Sequence, residues 1–412
     1  MLEHTLYNVD FWKHLSIPFV AAFVGWITNW VAIELTFRPL EFVGIRPLLG
    51  WQGIIPSKAA KMAEIFVEKT MFRLGTLQEL FQQMEPEIIA AHISKVMDQR
   101  LESYTEEIMF YSNPRVWRFL PQAVKNRIYV RVRQEMPRLV DNLMQDAAQN
   151  VEELIDFKDL LVKRLVGDRR LLNRLFLEAG AVEFRFIIRS GLYFGFLFGL
   201  IQLAVWTFHK SWWVLPAFGL LVGYATNWFA INIIFRPLEP QKIGPWTLQG
   251  LFLKRQKDVA RVWCRLVTTE ILTVQSIIYA MLYGPKSERA KALIRRHIQP
   301  IVDEVVEDYA PLTQLAVSEA SLNEIRESVG EKAVLVSTDP FDHWPFNKDR
   351  AMLIETLLRE RMERLPPKDF QDLLRPCFQE DEMKLILTGA VLGFIAGVAQ
   401  LFFVFGGTGW RI

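Results

Sequence analysis

The chain has 412 residues, enough for two or three domains, and 51% of them are apolar, with 30 Phe and 13 Trp. Charged residues make up 23%, too many for a chain lying wholly in a bilayer, while the aromatic load is too high for an ordinary soluble enzyme. The net charge of +2 gives nucleic-acid binding no global support, and the two cysteines, Cys264 and Cys377, sit in different polar stretches and argue against a disulfide framework.

The first apolar run, Leu15–Phe37, has the ~20 residues a bilayer requires. Glu3 and Asp10 precede it and no small-residue cleavage site follows, so it reads as a retained span rather than a removed signal. It carries Gly25, Thr28, Asn29, Ala32, Ile33 and Glu34 and closes on Phe37, Arg38, Pro39, Leu40 and Glu41. Proline disfavours helix in the residue before it, so the span stops there. The segment from Phe42 to Gly53 is rich in Gly, Pro and Trp and suits the membrane interface as an irregular elbow. An amphipathic helix follows whose first turns carry Lys58 and Lys61. Cations there oppose the helix dipole, which fits either snorkelling beside the bilayer or contact with lipid phosphate.

The polar stretch 38–185 reads as helical, with apolar residues at three-and-four spacing, as in Ile88, Ile89, His92, Ile93, Val96 and Met97. Thr76 is a predicted N-cap. Such stripes build either an ordinary core or a groove for acyl chains. Arg127, Arg131, Arg133 and Arg138 form a basic face without an accompanying RNA-binding motif. A second apolar run, Ile187–Phe208, places Gly191, Gly195 and Gly199 at steps of four, one helix face that admits close approach of another backbone. Gln202, eleven residues after Gly191, projects about 20° from that stripe at ~100° per residue. After His209, Lys210 and Ser211 comes a third run, Trp212–Phe235, forming a tight hairpin with the second.

The third run repeats the first. Gly223, Thr226, Asn227, Trp228, Ala230, Ile231, Phe235, Arg236, Pro237, Leu238 and Glu239 stand 198 positions after their counterparts. The second elbow ends at Gly250, a one-residue slip against Gly53, and its helix opens with Lys254, Arg255, Lys257 and Arg261. Another helical stretch, 236–384, contains the predicted N-cap Thr273 and a Pro-rich break around Asp342 and His343, an acid–histidine pair that reads as structural. The last run, Leu385–Phe405, brings Gly389, Gly393, Gly397 and Gln400, again at a shift of 198.

Each repeat therefore opens with a Thr-Asn span and closes with a glycine span, and two spans per copy keep both copies in one orientation, a parallel repeat. The Thr28, Asn29, Thr226 and Asn227 set reads as packing glue or as a ligand or ion site on the symmetry axis. Glu34 has Arg38 at i+4 and reads as a surface ion pair. Trp12, Trp206, Trp212, Trp213 and Trp410 form a predicted aromatic belt at the short-loop side. Arg38, Arg46, Arg185, Arg189, Arg236, Lys242, Lys254, Arg255 and Lys384 flank the spans on the other side, which the positive-inside rule assigns to the cytoplasm.

The predicted fold is an all-α membrane protein with four transmembrane helices as two parallel tandem repeats and two helical extramembrane domains on one side. Repeat 1 covers 1–207, with spans 15–37 and 187–208 around the helical domain 38–185. Repeat 2 covers 208–412, with spans 212–235 and 385–405 around the helical domain 236–384. The paired motif and its glycine spans resemble an uncharacterised bacterial membrane family, the YheB/YjiN-type proteins (domain-of-unknown-function family 445). The resemblance covers most of the chain and implies a multi-pass membrane protein without supplying an activity. Pro56, which opens the first amphipathic helix, is replaced by Leu253 in the second copy, so a looser second elbow is expected.

No Walker loop, G-x-S-x-G elbow, H-E-x-x-H or CxxC occurs, and the six histidines are scattered. The expectation is a non-enzymatic inner-membrane protein, without cofactor or metal, whose cytoplasmic helical domains engage lipid head groups or a membrane-surface partner and organise or move lipid. The alternative is a small-solute or ion transporter using the Thr-Asn pairs, which with four spans needs a homo-oligomer; a membrane hydrolase is third. Membrane lipids are the expected partners, and nucleic acid is not one.

Overall fold

The computed structural model describes residues 9–45, 49–112, 114–313, 319–342, 344–379 and 382–406. Among them, four helices are long and apolar enough to cross a membrane: α1 (Val9–Phe37), α2 (Ala181–Phe208), α3 (Val214–Phe235) and α4 (Glu382–Phe403). The pair Gln256–Glu270 and Val274–Tyr283 is also apolar over a span-length window, but it bends by 49° at the break and buries Trp263, Leu266, Val267 and Ile271 against protein. Chain contacts divide the molecule into two compact units, each drawing on both sequence repeats. Unit 1 comprises Met1–Met71, Leu165–Trp263 and Arg361–Ile412; unit 2 comprises Phe72–Arg164 and Cys264–Glu360.

In unit 1, α1 packs along α2 and α3 along α4, while α1 also meets α3 and α4, and α2 meets α3. Both pairs are antiparallel, because Gly25 faces Gly191 while Ala21 faces Gly195, and Gly223 faces Gly389 while Gly219 faces Gly393. Ile17, Trp206, Val214, Leu215, Leu401 and Phe405 form one cluster at one end of the bundle. Thr36, Glu183, Ile234, Phe235, Glu382 and Leu385 surround a small cavity of about 50 Å³ at the other. The two copies are therefore parallel, with the ends at 37, 181, 235 and 382 on one level. Trp206 corrects the belt expected from sequence: only 1% exposed, it continues the stripe of Gly199 and Gln202 into the bundle. Trp12, Trp212 and Trp213 do face outward, and Trp410 is outside the described residues.

Each elbow folds into a two-stranded antiparallel hairpin: β1 (Val43–Ile45) with β2 (Leu49–Trp51), and β3 (Gln241–Ile243) with β4 (Trp246–Leu248). The expected irregular backbone is thus partly ordered, and it leaves Val43, Ile45, Trp51 and Leu248 exposed. Gly53 N–H donates to Pro39 O (2.9 Å) and Gly250 N–H to Pro237 O (3.0 Å). A Cβ on either glycine would collide with the end of its own span, which explains why the one-residue slip preserves this pair. Leu253 keeps the geometry of Pro56: Ser57 N–H reaches Gly53 O at 2.9 Å, and Lys254 N–H reaches Gly250 O at 3.0 Å. The second elbow is not looser.

Unit 2 is built around four helices. Pro86–Ser112 and Gln122–Gln149 from the first polar stretch pack with Ser287–Thr313 and Glu319–Val336 from the second. Thr76 caps Leu77–Gln83 in a capping box with Glu79, and Thr273 caps Val274–Tyr283 through Ser276 N–H. Polar links cross between the stretches: Arg131 to Glu304, Lys332 Nζ to Glu107 at 2.6 Å, and Lys286 Nζ to the Glu152 carbonyl at 2.7 Å. Arg131 and Arg133, which pairs with Asp98, are thereby neutralised inside the unit.

Candidate functional site

The intramembrane polar residues sit where helix meets helix. Asn29 Nδ2 donates to the Ile187 carbonyl (2.7 Å) and Asn227 Nδ2 to that of Leu385 (2.8 Å). Both acceptors lie 158 residues on, so the contact is duplicated with the repeat. A side chain on Gly191 or Gly389 would collide with the asparagine amide and the facing glycine carbonyl; glycine is what lets the amide reach across. Gly195 and Gly199 meet Ala21 and Pro18, while Gly393 and Gly397 meet Gly219 and Leu215, at backbone-to-backbone range. Thr28 and Thr226 donate back to the carbonyls of Gly25 and Gly223 within their own helices. Gln202 and Gln400 are buried on the same stripes. Asn29 Oδ1, Gln400 Nε2 and Trp206 Nε1 are buried without hydrogen-bond partners.

At the level of the span ends, Arg38 pairs with Glu34 (3.4 Å) and both are solvent-accessible. Arg236, Glu41 and Glu239 are exposed, and Pro39 and Pro237 follow cis peptide bonds. Of the cations expected to meet lipid phosphate, Lys61, Lys254 and Lys257 are exposed and Lys58 is half-buried. Arg255 is spent elsewhere: its Nη1 reaches both carboxylate oxygens of Glu183, at 2.7 and 2.8 Å. Glu183 is buried at the start of α2 and would be costly alone. Sequence reading missed this pair, and it missed Asn173 and Gln371, whose amides donate to the terminal carbonyls of the Thr-Asn spans, Phe37 (2.6 Å) and Phe235 (3.3 Å). The signal was present, since these two amides also stand 198 apart.

Unit 2 contains an apolar cavity of about 320 Å³ lined by residues such as Leu101, Ile108, Val132, Leu143, Ile294 and Ile301. Its lining runs from Ile93 to Met109 along one helix, about 24 Å at 1.5 Å per residue, so the space is an elongated slot between helices. Polar side chains reach it at one place: Tyr104, Thr105, Lys332 and Ser337. There Tyr104 Oη donates to Asp339 Oδ2 (2.6 Å), and Arg100 Nη1 donates to the same oxygen (3.2 Å). Burial, then the Asp339 carboxylate, raises the Tyr104 pKa above its ordinary value. Lys332 is held by Glu107. The three-and-four apolar stripes thus build a slot as well as a core.

Among the described residues, no group of three or more His, Cys, Asp or Glu could hold a metal ion. His343 is outside the described residues, and Asp342 accepts from Gln275 Nε2 at 3.3 Å. His92 stacks on Phe346 with ring centroids 3.8 Å apart, and its Nε2 lies 2.8 Å from the Pro340 carbonyl.

Fold and site together define an all-α membrane protein whose paired spans are zipped by glycine and asparagine and whose helical unit carries an apolar slot. Known proteins agree on the membrane class. The chain is 26% identical to a UPF0754 membrane protein of Bacillus licheniformis over 166 residues, 39% of this chain and 40% of that protein. It is 38% identical to a UPF0754 membrane protein of Shouchella clausii over 74 residues (17% and 20% of the two chains). A third, from Cyanothece sp., is 33% identical over 93 residues (22% and 23%). The chain thus spans less than half the length of each of these relatives. They support an uncharacterised membrane family, and none of the three carries the YheB/YjiN name. No protein-family model matches the chain, and no solved structure does.

Proposed function

We propose that this membrane protein is a non-enzymatic lipid-binding protein that takes an acyl chain into the slot of unit 2 and so organises or moves membrane lipid. The observation that carries the reading is the slot itself: apolar along its length, about 320 Å³ in volume, and within the size range of ligand pockets. Its length also fits, since one leaflet's chains span about 15 Å, half of the ~30 Å hydrocarbon core.

The four apolar helices give the chain access to bilayer lipid, and the exposed Lys61, Lys254 and Lys257 supply charge for head groups at the membrane surface. The positive-inside rule favours a cytoplasmic position for the polar helices in a bacterial inner membrane. The transport alternative has less support: the amide nitrogens of Asn29 and Asn227 and the hydroxyls of Thr28 and Thr226 are engaged by backbone carbonyls.

Native mass spectrometry of the purified full chain tests the reading. Lipid bearing acyl chains is expected to copurify, and filling the slot with Val140→Phe and Ile294→Phe is expected to remove it while far-ultraviolet circular dichroism stays unchanged. Equal lipid retention by the folded filled variant, or no lipid on the native chain, overturns it.

A further inference from the structure

One exposed face of the closing spans differs in charge between the two repeats. Arg185, Arg189 and Tyr193 stand at steps of four along α2, on one helix face, and all three are exposed. Their counterparts at the shift of 198, on α4, are Met383, Leu387 and Val391, also exposed. The seams of the two repeats are duplicated, down to the asparagine-to-carbonyl bonds. The second copy thus shows what this face needs for contact with hydrocarbon alone, and the first departs from it with two cations and a hydroxyl.

Depth matters to the meaning of those charges. Asn29 bonds to the carbonyl of Ile187, and Gly25 faces Gly191, so Arg189 is level with residues 25–29 of α1. From the outward-facing Trp12 to Asn29 is about 26 Å of helix at 1.5 Å per residue, close to the ~30 Å hydrocarbon thickness. With Trp12, Trp212 and Trp213 at the far interface, Arg189, about 22 Å from that level, falls a turn inside the near boundary. Trp30 and Trp228, both exposed, mark the same level, as interfacial tryptophans do. Arg185 then stands about 6 Å outward, at the boundary with the head-group layer, and Tyr193 about 6 Å inward. Side chains on a helix lean toward its N-terminus, which for α2 is this near side, so both guanidinium groups lean into the head groups and Tyr193 leans toward Arg189.

The pair is also unspent. The Arg185 Nε donates to the Ala181 carbonyl (3.1 Å), and among the described residues neither guanidinium has an acidic partner. The face lies about 200° from the glycine stripe at ~100° per residue, so it takes no part in the α1–α2 seam. Two arginine forks one turn apart can clamp the negative charge of a phosphate diester, and a tyrosine hydroxyl one turn deeper leans back toward the ester groups of the same lipid.

We propose that Arg185, Arg189 and Tyr193 form a site for an anionic glycerophospholipid on the first glycine span, with no equivalent on the second. It is separate from the slot in unit 2, and slot-filling substitutions leave it intact.

The test uses the full chain in nanodiscs of mixed phosphatidylglycerol and phosphatidylcholine, with retained lipid counted by native mass spectrometry. The native chain is expected to hold one phosphatidylglycerol in preference to phosphatidylcholine. Replacing the ladder with the residues of the second copy (Arg185→Met, Arg189→Leu and Tyr193→Val) should cut that preference by roughly 30-fold, the combined effect of two cations at an anionic surface. The reverse graft, Met383→Arg, Leu387→Arg and Val391→Tyr, should add a second bound phosphatidylglycerol. Unchanged preference in the first variant, equal retention of both lipids by the native chain, or displacement of the lipid by inorganic phosphate would overturn the proposal.

Discussion

Arg255, just after the second elbow, holds both carboxylate oxygens of Glu183, which lies at the start of the closing span of the first repeat. The bond ties one copy to the other. Glu183 is 3% exposed and Arg255 25%, so removing the arginine leaves a buried carboxylate with no counter-charge. We expect Arg255→Ala to lower stability by about 3–5 kcal/mol, and Arg255→Lys to recover little because lysine lacks the two-pronged fork. Lys254→Ala and Lys257→Ala, at exposed neighbours, should stay within about 0.5 kcal/mol. Thermal unfolding in one detergent compares all four; full rescue by lysine would contradict the bidentate role.

The glycine seams make a sharper steric prediction. A methyl on Gly191 would run into the Gly25 carbonyl and the Asn29 amide, and one on Gly389 into Asn227 and the Gly223 carbonyl. Neither neighbour is a flexible chain end, so the helices must part. Gly191→Ala and Gly389→Ala should each cost about 1–3 kcal/mol. Gly167→Ala, where nothing lies within 4 Å, should be neutral or slightly stabilising. Cysteine cross-linking across α1 and α2 would report the separation, and a Gly191→Ala chain that melts like the native one would refute close backbone contact there.

Much of this was legible in the sequence because the duplication printed it twice. Glycines at steps of four, Thr-Asn pairs and Arg-Pro-Leu-Glu ends each recur at 198, and local rules turn such patterns into faces, caps and stops. Arg255 reads as one cation in a basic cluster, and only the chain's return 72 residues away makes it an ion-pair partner. Trp206 belongs to the inner stripe by spacing, yet its type and its place near the loop suggested an interface. Periodicity shows that a helix has an apolar face but not whether its neighbours close over it, so core and slot could not be told apart until four helices from both halves came together.

The asparagines should be modest contributors. Each makes one interhelical bond to a carbonyl that is also engaged in its own helix, and such bonds average only ~0.6 kcal/mol, with a maximum near 1.7. Ser190 Oγ donates to the same Ile187 carbonyl at 2.8 Å, which further dilutes the loss. We expect Asn29→Ala and Asn227→Ala to shift melting slightly and to leave solute permeability of proteoliposomes unchanged. A loss of flux in either variant with unaltered melting would move these residues from packing to a conduction path.

Alkaline pH should probe unit 2 through Tyr129. Its ring is buried against Trp117, with centroids 6.2 Å apart, and its hydroxyl donates to Glu106 at 3.4 Å. Burial, then the charge of Glu106, pushes its pKa up to about 12 from the ordinary 10. The folded chain therefore holds this proton more tightly than the unfolded one. The resulting stability is complete below pH 10 and is lost as the pH climbs from 10 through 12. Two units correspond to about 2–3 kcal/mol at most. Tyr129→Phe should remove that alkaline loss while costing about 1 kcal/mol at neutral pH through the missing hydrogen bond. The difference in ultraviolet tyrosinate absorbance between native and Tyr129→Phe chains isolates the group: a component titrating near pH 12, coincident with unfolding, is the expected result, and one titrating at 10 in the folded protein would show that the hydroxyl reaches water and that neither burial nor Glu106 governs it.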